Sequence, residues 1–174
     1  MQMQTFSTMH MLPRAAVAAT RIAAERGSNQ PRGWDSSAHG RDRARAQQYA
    51  WMDTAFRPTL GTIGSSELVL RMLAHCDQPI STLAHWIVER KVVAFDWQSQ
   101  TLLPLFQFQL SDMSLRSPVV HVVQELSALL GDWELALWFA LPNPWLDQAR
   151  PVDAISHDAP AVLHAARAAR FALR

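Results

Sequence analysis

The 174 residues are enough for one domain with a substantial core, since 49% are hydrophobic and seven tryptophans and seven phenylalanines are present. No apolar run approaches the roughly 18–20 residues that cross a bilayer, so the sequence argues against a membrane protein. The single cysteine, Cys76, excludes an internal disulfide and a multi-cysteine zinc site, and it is compatible with a reducing cytoplasm.

Positive charge is concentrated at the start of the chain. Residues 1–45 contain seven arginines and three acidic residues, whereas the remainder contains nine basic and twelve acidic residues. A weakly acidic remainder is not typical of a protein that binds nucleic acid through charge alone. Residues 1–48 are predicted to form a flexible arm, with an alanine-rich helix at 15–25 and linker-like sequence at 27–33 and 36–40.

Residues 49–110 are predicted to hold a short helix at 49–56, a loop at 61–64, and then two helices joined by a tight turn. The helices at 65–74 and 80–90 have the outline of a helix-turn-helix. The residues expected to face inward are Val69, Met72 and Leu73 in the first helix and Ile80, Leu83, Ala84 and Ile87 in the second. Segments 92–95 and 101–105 then predict a β-hairpin, placed like a wing beside the helix pair.

The outward face of the second helix is a candidate DNA-binding surface. Its hydroxyl and imidazole side chains suit contacts to phosphates or base edges, and two cations follow at the end of the helix. These candidate residues are Ser81, Thr82, His85, Arg90 and Lys91. Because Glu89 on the same helix would repel phosphate, a degenerate helix-turn-helix that only packs against the core stays an open alternative.

Residues 111–174 are predicted to form a helical bundle. Ser117 and Pro118 are expected to begin a helix that stops at Gly131 and whose apolar residues keep helical spacing, namely Val119, Val122, Val123, Leu126, Leu129 and Leu130. Asp132 is predicted to cap the next helix, in which only Glu134 is polar between Trp133 and Leu141. A helix that is apolar on nearly every face must be buried in a core or against a partner.

Three prolines, Pro142, Pro144 and Pro151, are predicted to set where the helices near the end of the sequence stop and begin. Pro142 is predicted to stop the apolar helix, and Asn143-Pro144 to form a turn from which Leu146 returns as an apolar anchor. Pro151 suits the first turn of a short helix that carries Val152, Ala154 and Ile155. The final helix is predicted at 161–173, with Val162, Ala166, Ala169 and Leu173 facing inward and Arg167, Arg170 and Arg174 along one edge.

Motifs of enzyme active sites do not occur in the sequence. The GTIGSS segment at 61–66 lacks the lysine and the spacing of a phosphate-binding loop, and it is predicted to cap a helix instead. His157, Asp158 and His164 make an incomplete zinc-ligand set. The sequence therefore predicts a non-enzymatic protein without catalytic residues, metal or cofactor.

The order of motifs from residue 63 to the end resembles the toxin-binding domain of Xre/MbcA/ParS-type bacterial antitoxins. In that family a strand ends in a proline and an aromatic-Gln-Phe motif. Two helices follow, the second containing a tryptophan, then Pro-Asn, a leucine, and a second proline that opens a short helix. The matching residues are Pro104, Phe106, Gln107, Phe108, Trp138, Pro142, Asn143, Leu146 and Pro151. The family usually carries a glycine where this chain has residues 147–150, and a glycine there suggests a positive φ.

This resemblance implies a cytoplasmic antitoxin of a toxin–antitoxin system, which binds and occludes a RES-domain, NAD-consuming toxin encoded beside it. It also implies that the C-terminal end of the antitoxin sits at the mouth of the toxin's pocket. Tryptophans and arginines at a surface are typical anchors of protein interfaces. The predicted partner-binding residues are Trp138, Asn143, Trp145, Leu146, Pro151, Arg167, Arg170 and Arg174.

Several alternatives remain at this point. The apolar helix at 133–141 is most simply interpreted as core, with a binding face as the second interpretation, and the arginine edge of the final helix is equally interpreted as a solvated surface. A DNA-binding transcriptional regulator that represses its own operon is the rival function, with operator DNA as the partner. A homo-oligomer, or a hetero-oligomer with the toxin, is expected in either case.

Overall fold

A computed structural model describes residues 36–173 of the chain, with side chains from Gly40 onward. Within this range the protein is mainly α-helical, with a small three-stranded antiparallel sheet, which confirms the predicted fold class. The helices are α1 (Ser36–Phe56), α2 (Ser65–Met72), α3 (Pro79–Val88), α4 (Ser117–Leu126), α5 (Asp132–Ala140), α6 (Pro151–Ala154) and α7 (Ala159–Ala172). The strands are β1 (Thr62–Gly64), β2 (Phe95–Trp97) and β3 (Gln100–Pro104). The predicted helix at 15–25 and linker at 27–33 lie outside the described residues.

Helix α1 begins earlier than the sequence indicated. The linker predicted at 36–40 and the end of the predicted arm, up to Gln48, are part of this helix. Residues 43–48 consist of alanine, arginine and glutamine, which are good helix formers. Helix α1 therefore includes these residues although they present no apolar face. The last two turns of α1 pack against the rest of the protein, because Met52, Ala55 and Phe56 are buried in the core.

The predicted hairpin is confirmed, and a third strand joins it. Strands β2 and β3 are connected by Gln98 and Ser99, whose φ angles of 47° and 63° are those of the two-residue turn that matches strand twist. Strand β1 pairs with the other side of β3, where the sequence predicted only a loop. Three residues are too short to show an alternating pattern, and β1 exists because β3 offers it a partner.

The Gln107 side chain links the segment after strand β3 to Val93, which precedes strand β2, through hydrogen bonds. Its buried amide accepts a hydrogen bond from the Val93 amide nitrogen (2.8 Å) and donates to the carbonyl oxygens of Val93 (2.9 Å) and Pro104 (3.0 Å). All polar atoms of this buried side chain are thereby satisfied, as burial requires. The glutamine of the aromatic-Gln-Phe motif is therefore a structural residue in this chain.

The helix pair α2 and α3 forms as predicted, but part of its predicted inward face is wrong. Leu68, Met72 and Leu83 are buried, whereas Leu73 is 58% exposed, Ile80 is 71% exposed and Ala84 is exposed. The helices end at Met72 and Val88. Ile87 packs toward the core as predicted, and so does Trp86, which was not predicted to do so. This phase difference places three predicted core residues on the surface.

The junction between α4 and α5 also differs in detail. Arg116, not Ser117, occupies the position before the first turn of α4, and the helix ends at Leu126. Gly131 precedes the first turn of α5, where Asp132 had been predicted as the cap, and its amide nitrogen donates to Glu134 Oε2 (2.9 Å). The glycine read as a helix stop therefore serves the start of the next helix.

Two hydrophobic clusters hold the fold together. The larger cluster joins the end of α1, the sheet and helices α4–α7, and it includes α5 residues Leu135, Ala136 and Phe139. The smaller cluster lies beneath α2 and α3. The interpretation of the apolar helix as core is thus confirmed for most of its residues. The larger cluster draws side chains from both sides of residue 110, where the sequence predicted a boundary.

Candidate protein-binding surface

The predicted partner-binding residues do not form one surface. Asn143 and Pro151 are buried, and Trp138 and Leu146 are half-buried against the larger cluster, with Trp138 edge-to-face on Phe139. Trp145 and Arg167 are exposed, Arg170 is half-buried, and Arg174 lies outside the described residues. The first four therefore contribute to the fold, and among the described residues of this set Trp145, Arg167 and Arg170 present more surface to a partner.

Asn143 organises the turn that carries Trp145. Its side-chain oxygen accepts a hydrogen bond from the Trp145 amide nitrogen (2.9 Å), and its backbone carbonyl accepts from the amides of Leu146 and Gln148 (both 3.0 Å). Its own amide nitrogen donates to the carbonyl of Ala149 (3.0 Å). One buried residue thus closes the whole turn, which explains an asparagine here without any partner contact.

The turn contains the positive φ angles that the sequence comparison with the antitoxin family suggested. Asp147 has a φ of 51° and Gln148 a φ of 66°, in the segment where the family usually has glycine. Aspartate tolerates this region moderately well, whereas glutamine adopts it at a steric cost. The surrounding hydrogen bonds of Asn143 and Ala149 hold the turn in this conformation.

The arginine edge of α7 is tied to α4 by a single carboxylate. Arg167 Nε lies 2.9 Å from Glu125 Oε1, and Arg170 Nη1 lies 2.6 Å from Glu125 Oε2. The Glu125 side chain is only 16% exposed, whereas both arginines retain a large exposed fraction. Two guanidinium groups share one negative charge, so this edge keeps an excess of positive charge and free donor groups toward solvent.

Phe171 is the residue that the sequence prediction missed. It is 86% exposed in the last turn of α7, one residue after Arg170 and one helical turn after Arg167. Its position out of phase with Val162, Ala166 and Ala169 is the sequence signal that could have identified it. The turn bearing Trp145, which is 48% exposed, contacts the same helix. We define Trp145, Arg167, Arg170 and Phe171 as the C-terminal surface.

The predicted DNA-contacting cations are engaged within the protein. Arg90, with a φ of 52°, donates to the carbonyl oxygens of Ser127 and Leu130 and to Asp132 Oδ1. Lys91 pairs with Glu89. The guanidinium of Arg90 is thus engaged by the carbonyl oxygens that follow α4, and its contact with phosphate stays a prediction.

The remaining DNA-binding candidates offer little positive charge. Ser81 is exposed, Thr82 is half-buried with its hydroxyl 3.3 Å from the Cys76 sulfur, and His85 lies 3.0 Å from Glu89. The hydrogen bond from Lys91 is the main cause that lowers the pKa of Glu89, so its carboxylate stays charged at neutral pH. A negative charge therefore faces any phosphate that approaches this helix.

A cleft lies beside the hairpin. It has a volume of about 440 Å³ and is lined by Tyr49, Thr62, Trp97, Gln98, Gln100 and Leu102. The Tyr49 and Trp97 rings stack on each other at 4.4 Å, and burial raises the pKa of the Tyr49 hydroxyl, with Asp53 adding to the shift. These aromatic faces are occupied by each other, so the cleft has a mainly structural role in joining α1 to the sheet.

The chain matches no protein-family model, no curated protein and no solved structure. Among the described residues 36–173, no helix combines the length and the apolar character needed to span a bilayer.

Proposed function

We propose that this protein is a cytoplasmic antitoxin that binds an NAD-consuming RES-domain toxin and blocks access to its active site. The resemblance of residues 63–174 to the toxin-binding domain of Xre/MbcA/ParS-type antitoxins is the basis for the class of partner. The positive φ at Asp147 and Gln148, in place of the family's glycine, supports that resemblance at a point where the two sequences differ.

The observation that carries the proposal is the C-terminal surface. An exposed phenylalanine beside two arginines, on the helix that the turn bearing the exposed Trp145 contacts, has the composition of an interface anchor. A surface of this kind is expected to bind a protein through apolar burial at its centre and charged hydrogen bonds at its rim. Inhibition then follows from occlusion, which requires no catalytic group in the inhibitor.

The rival proposal, a DNA-binding regulator, has less support from the geometry. Its predicted cations Arg90 and Lys91 bind other groups of the same chain, and Glu89 adds negative charge beside them. We therefore treat autorepression of the operon as a secondary hypothesis. Any DNA contact is expected to rely on the exposed Arg41 and Arg43 of α1.

The proposal predicts that a neighbouring gene encodes a RES-domain toxin, and it is tested by co-expression with that toxin, with cellular NAD and co-purification as readouts. Wild-type protein is expected to preserve NAD and to co-purify with the toxin. Phe171→Glu is expected to lose both, because it places a charge at the centre of the apolar contact. Leu110→Glu is the matched control, since Leu110 is another exposed apolar residue far along the chain from this surface.

The role of the arginines needs a control that preserves the fold. Replacing both Arg167 and Arg170 with glutamate removes their bonds to Glu125, so loss of binding by this variant is ambiguous. Adding Glu125→Arg restores an ion pair of reversed polarity between α4 and α7 but leaves a negative edge toward the partner. The proposal predicts that the triple variant folds and still fails to bind. Neutralisation of the toxin by the triple variant and by Phe171→Glu would contradict it.

A further inference from the structure

The turn that carries Trp145 continues into two residues with a left-handed backbone. Asp147 has a φ of 51° and Gln148 a φ of 66°, and both side chains are exposed. Glycine adopts such angles without a steric cost, whereas a side chain raises the energy of this backbone conformation. Residues held in such conformations are concentrated at binding clamps and other functional sites, where the surrounding structure imposes the strain.

Backbone hydrogen bonds impose the path of this turn. The Gln148 amide nitrogen donates to the carbonyl oxygen of Asn143 (3.0 Å), and the Ala149 amide nitrogen donates to the carbonyl oxygen of Leu146 (2.8 Å). The amide nitrogen of Asn143 donates in turn to the carbonyl oxygen of Ala149 (3.0 Å). Asp147 lies between these bonds, so its backbone is fixed and its side chain leaves the surface in a defined direction.

The side chains of Asp147 and Gln148 do not take part in holding the turn. Within residues 40–173, no hydrogen bond or ion pair joins the Asp147 carboxylate or the Gln148 amide group to another side chain or to the backbone. Other left-handed residues use their side chains inside the fold, since Arg90 binds carbonyl oxygens and Met113 is buried. The turn therefore presents a carboxylate and an amide group that the fold itself does not use.

These two residues add a negative group to the C-terminal surface. Trp145 belongs to that surface, and its turn contacts α7, where Arg167 and Arg170 supply positive charge. We propose that Asp147 and Gln148 are specificity-determining residues for the toxin, which binds them through a basic side chain and a hydrogen-bonding group. This role rests on the proposed function, since it belongs to the same contact.

Opposite charges on two neighbouring elements select both the partner and its orientation. A toxin that places an acidic group at the α7 edge and a basic group at the turn is attracted, whereas the reverse arrangement is repelled. A contact of about 800 Å² on each side also requires more than the four residues of the C-terminal surface, and the turn extends it. Because the turn is ordered before the partner arrives, binding costs less conformational entropy there.

The closing experiment separates the path of the turn from its side chains. In full-length protein, Asp147→Gly combined with Gln148→Gly retains the left-handed backbone and removes both side chains. This variant is expected to unfold at or above the wild-type temperature, yet to bind the toxin about tenfold more weakly in titration calorimetry. The matched control is Gln98→Gly with Ser99→Gly, at the exposed left-handed turn of the hairpin, which is expected to leave toxin binding unchanged.

Changes of charge at Asp147 test for the basic group on the toxin without any added glycine. Asparagine adopts the left-handed conformation as readily as aspartate, so Asp147→Asn retains the turn and removes only the charge. Binding is expected to weaken about threefold and to become less sensitive to salt, as the loss of an exposed ion pair requires. Asp147→Lys is expected to weaken binding by at least about tenfold, because two positive groups then face each other.

The results separate this role of the turn from the proposed function. If wild type binds the toxin and Phe171→Glu does not, but the Asp147 and double-glycine variants bind like wild type, the turn has no part in recognition and only this proposal is overturned. An equal loss of binding in the hairpin control, or a double-glycine variant less stable than wild type, would also overturn it. A wild-type protein that does not bind the toxin would overturn both.

Discussion

The end of α3 and the edge of α7 use arginines in opposite ways. Arg90 is drawn inward by backbone carbonyls of the segment after α4, which lack helical partners, whereas Arg167 and Arg170 share one carboxylate and keep donors exposed. The apolar residues show the opposite pattern of burial. Ile80 of α3 is exposed, whereas most of the apolar residues of α5 in the helical bundle are buried. An arginine near the end of a helix is therefore free to bind a partner only if no backbone carbonyl or carboxylate that lacks a hydrogen bond lies close enough to bind its guanidinium.

The largest expected effect comes from removing Arg90. Arg90→Ala should lower the free energy of unfolding by about 2–3 kcal/mol, because a partly exposed guanidinium loses several hydrogen bonds and two carbonyls lose their donor. Chemical denaturation measures this change. Arg71→Ala, which breaks only an exposed pair with Glu67, should change stability by less than about 0.5 kcal/mol.

Arg90→Ala also distinguishes a structural role of Arg90 from a role in DNA binding. If Arg90 contacted phosphate, Arg90→Ala would weaken DNA binding and reduce its salt dependence without unfolding the protein. A stable Arg90→Ala protein with selectively weakened DNA binding would contradict the assignment of Arg90 as a bridge between α3 and the α4–α5 junction.

A smaller effect is expected at the arginine edge. Glu125→Gln should destabilise the fold by about 1 kcal/mol, a value reduced by the solvent exposure of both arginines. The proposed function predicts that binding of the toxin persists, because both arginines assigned to that contact remain. Thermal unfolding gives the first quantity and titration calorimetry the second. A loss of binding equal to that of Phe171→Glu would show that the Glu125 contact itself matters for recognition.

The strained turn provides a stabilising prediction. Gln148→Gly should raise the free energy of unfolding by about 0.5–1 kcal/mol, since glycine adopts a φ of 66° without the steric penalty of a side chain. Gln124→Gly, at an exposed helical position in α4, should lower stability by a similar amount. Equal destabilisation by the two changes would mean that the left-handed turn is not adopted.

The smallest effect concerns pH. Lys91 lowers the pKa of Glu89 below its ordinary value of 4.5, so the stabilising contribution is present above that pH and is lost as pH falls through the lowered value. Lys91→Met removes the main cause of the shift and should raise the Glu89 pKa, as measured by NMR titration. The loss of stability between neutral and acidic pH should become slightly smaller in this variant. An unchanged Glu89 pKa would contradict the pairing.

The sequence predicted best where local chemistry decides the structure. The buried residues Val119, Val122, Val123 and Leu126 of α4 follow from helical spacing, and the short helix opened by Pro151 follows from its fixed φ. The positive φ near Asp147 was anticipated from the position of a glycine in the similar family. These features depend on neighbours within a few residues.

The sequence failed where distant partners decide. Strand β1 forms because β3 pairs with it, and Arg90 is fixed by carbonyls about forty residues away. Gly131 was read as a helix stop, yet its amide serves the Glu134 carboxylate of the next helix. The Gly131 contact is local, and Phe171 lies out of phase with the buried residues of α7, so these two features could be predicted from spacing, whereas strand β1 and the partners of Arg90 could not.

The central claim, that the C-terminal surface binds the toxin while α3 does not, is tested most directly by hydrogen exchange. The full-length protein is compared alone and in complex with the co-expressed toxin, with peptides covering 80–88, 144–150 and 163–173. The account predicts that the toxin slows exchange in the last two segments and leaves the first unchanged. Slowed exchange confined to residues 80–88, with none at the C-terminal surface, would contradict it.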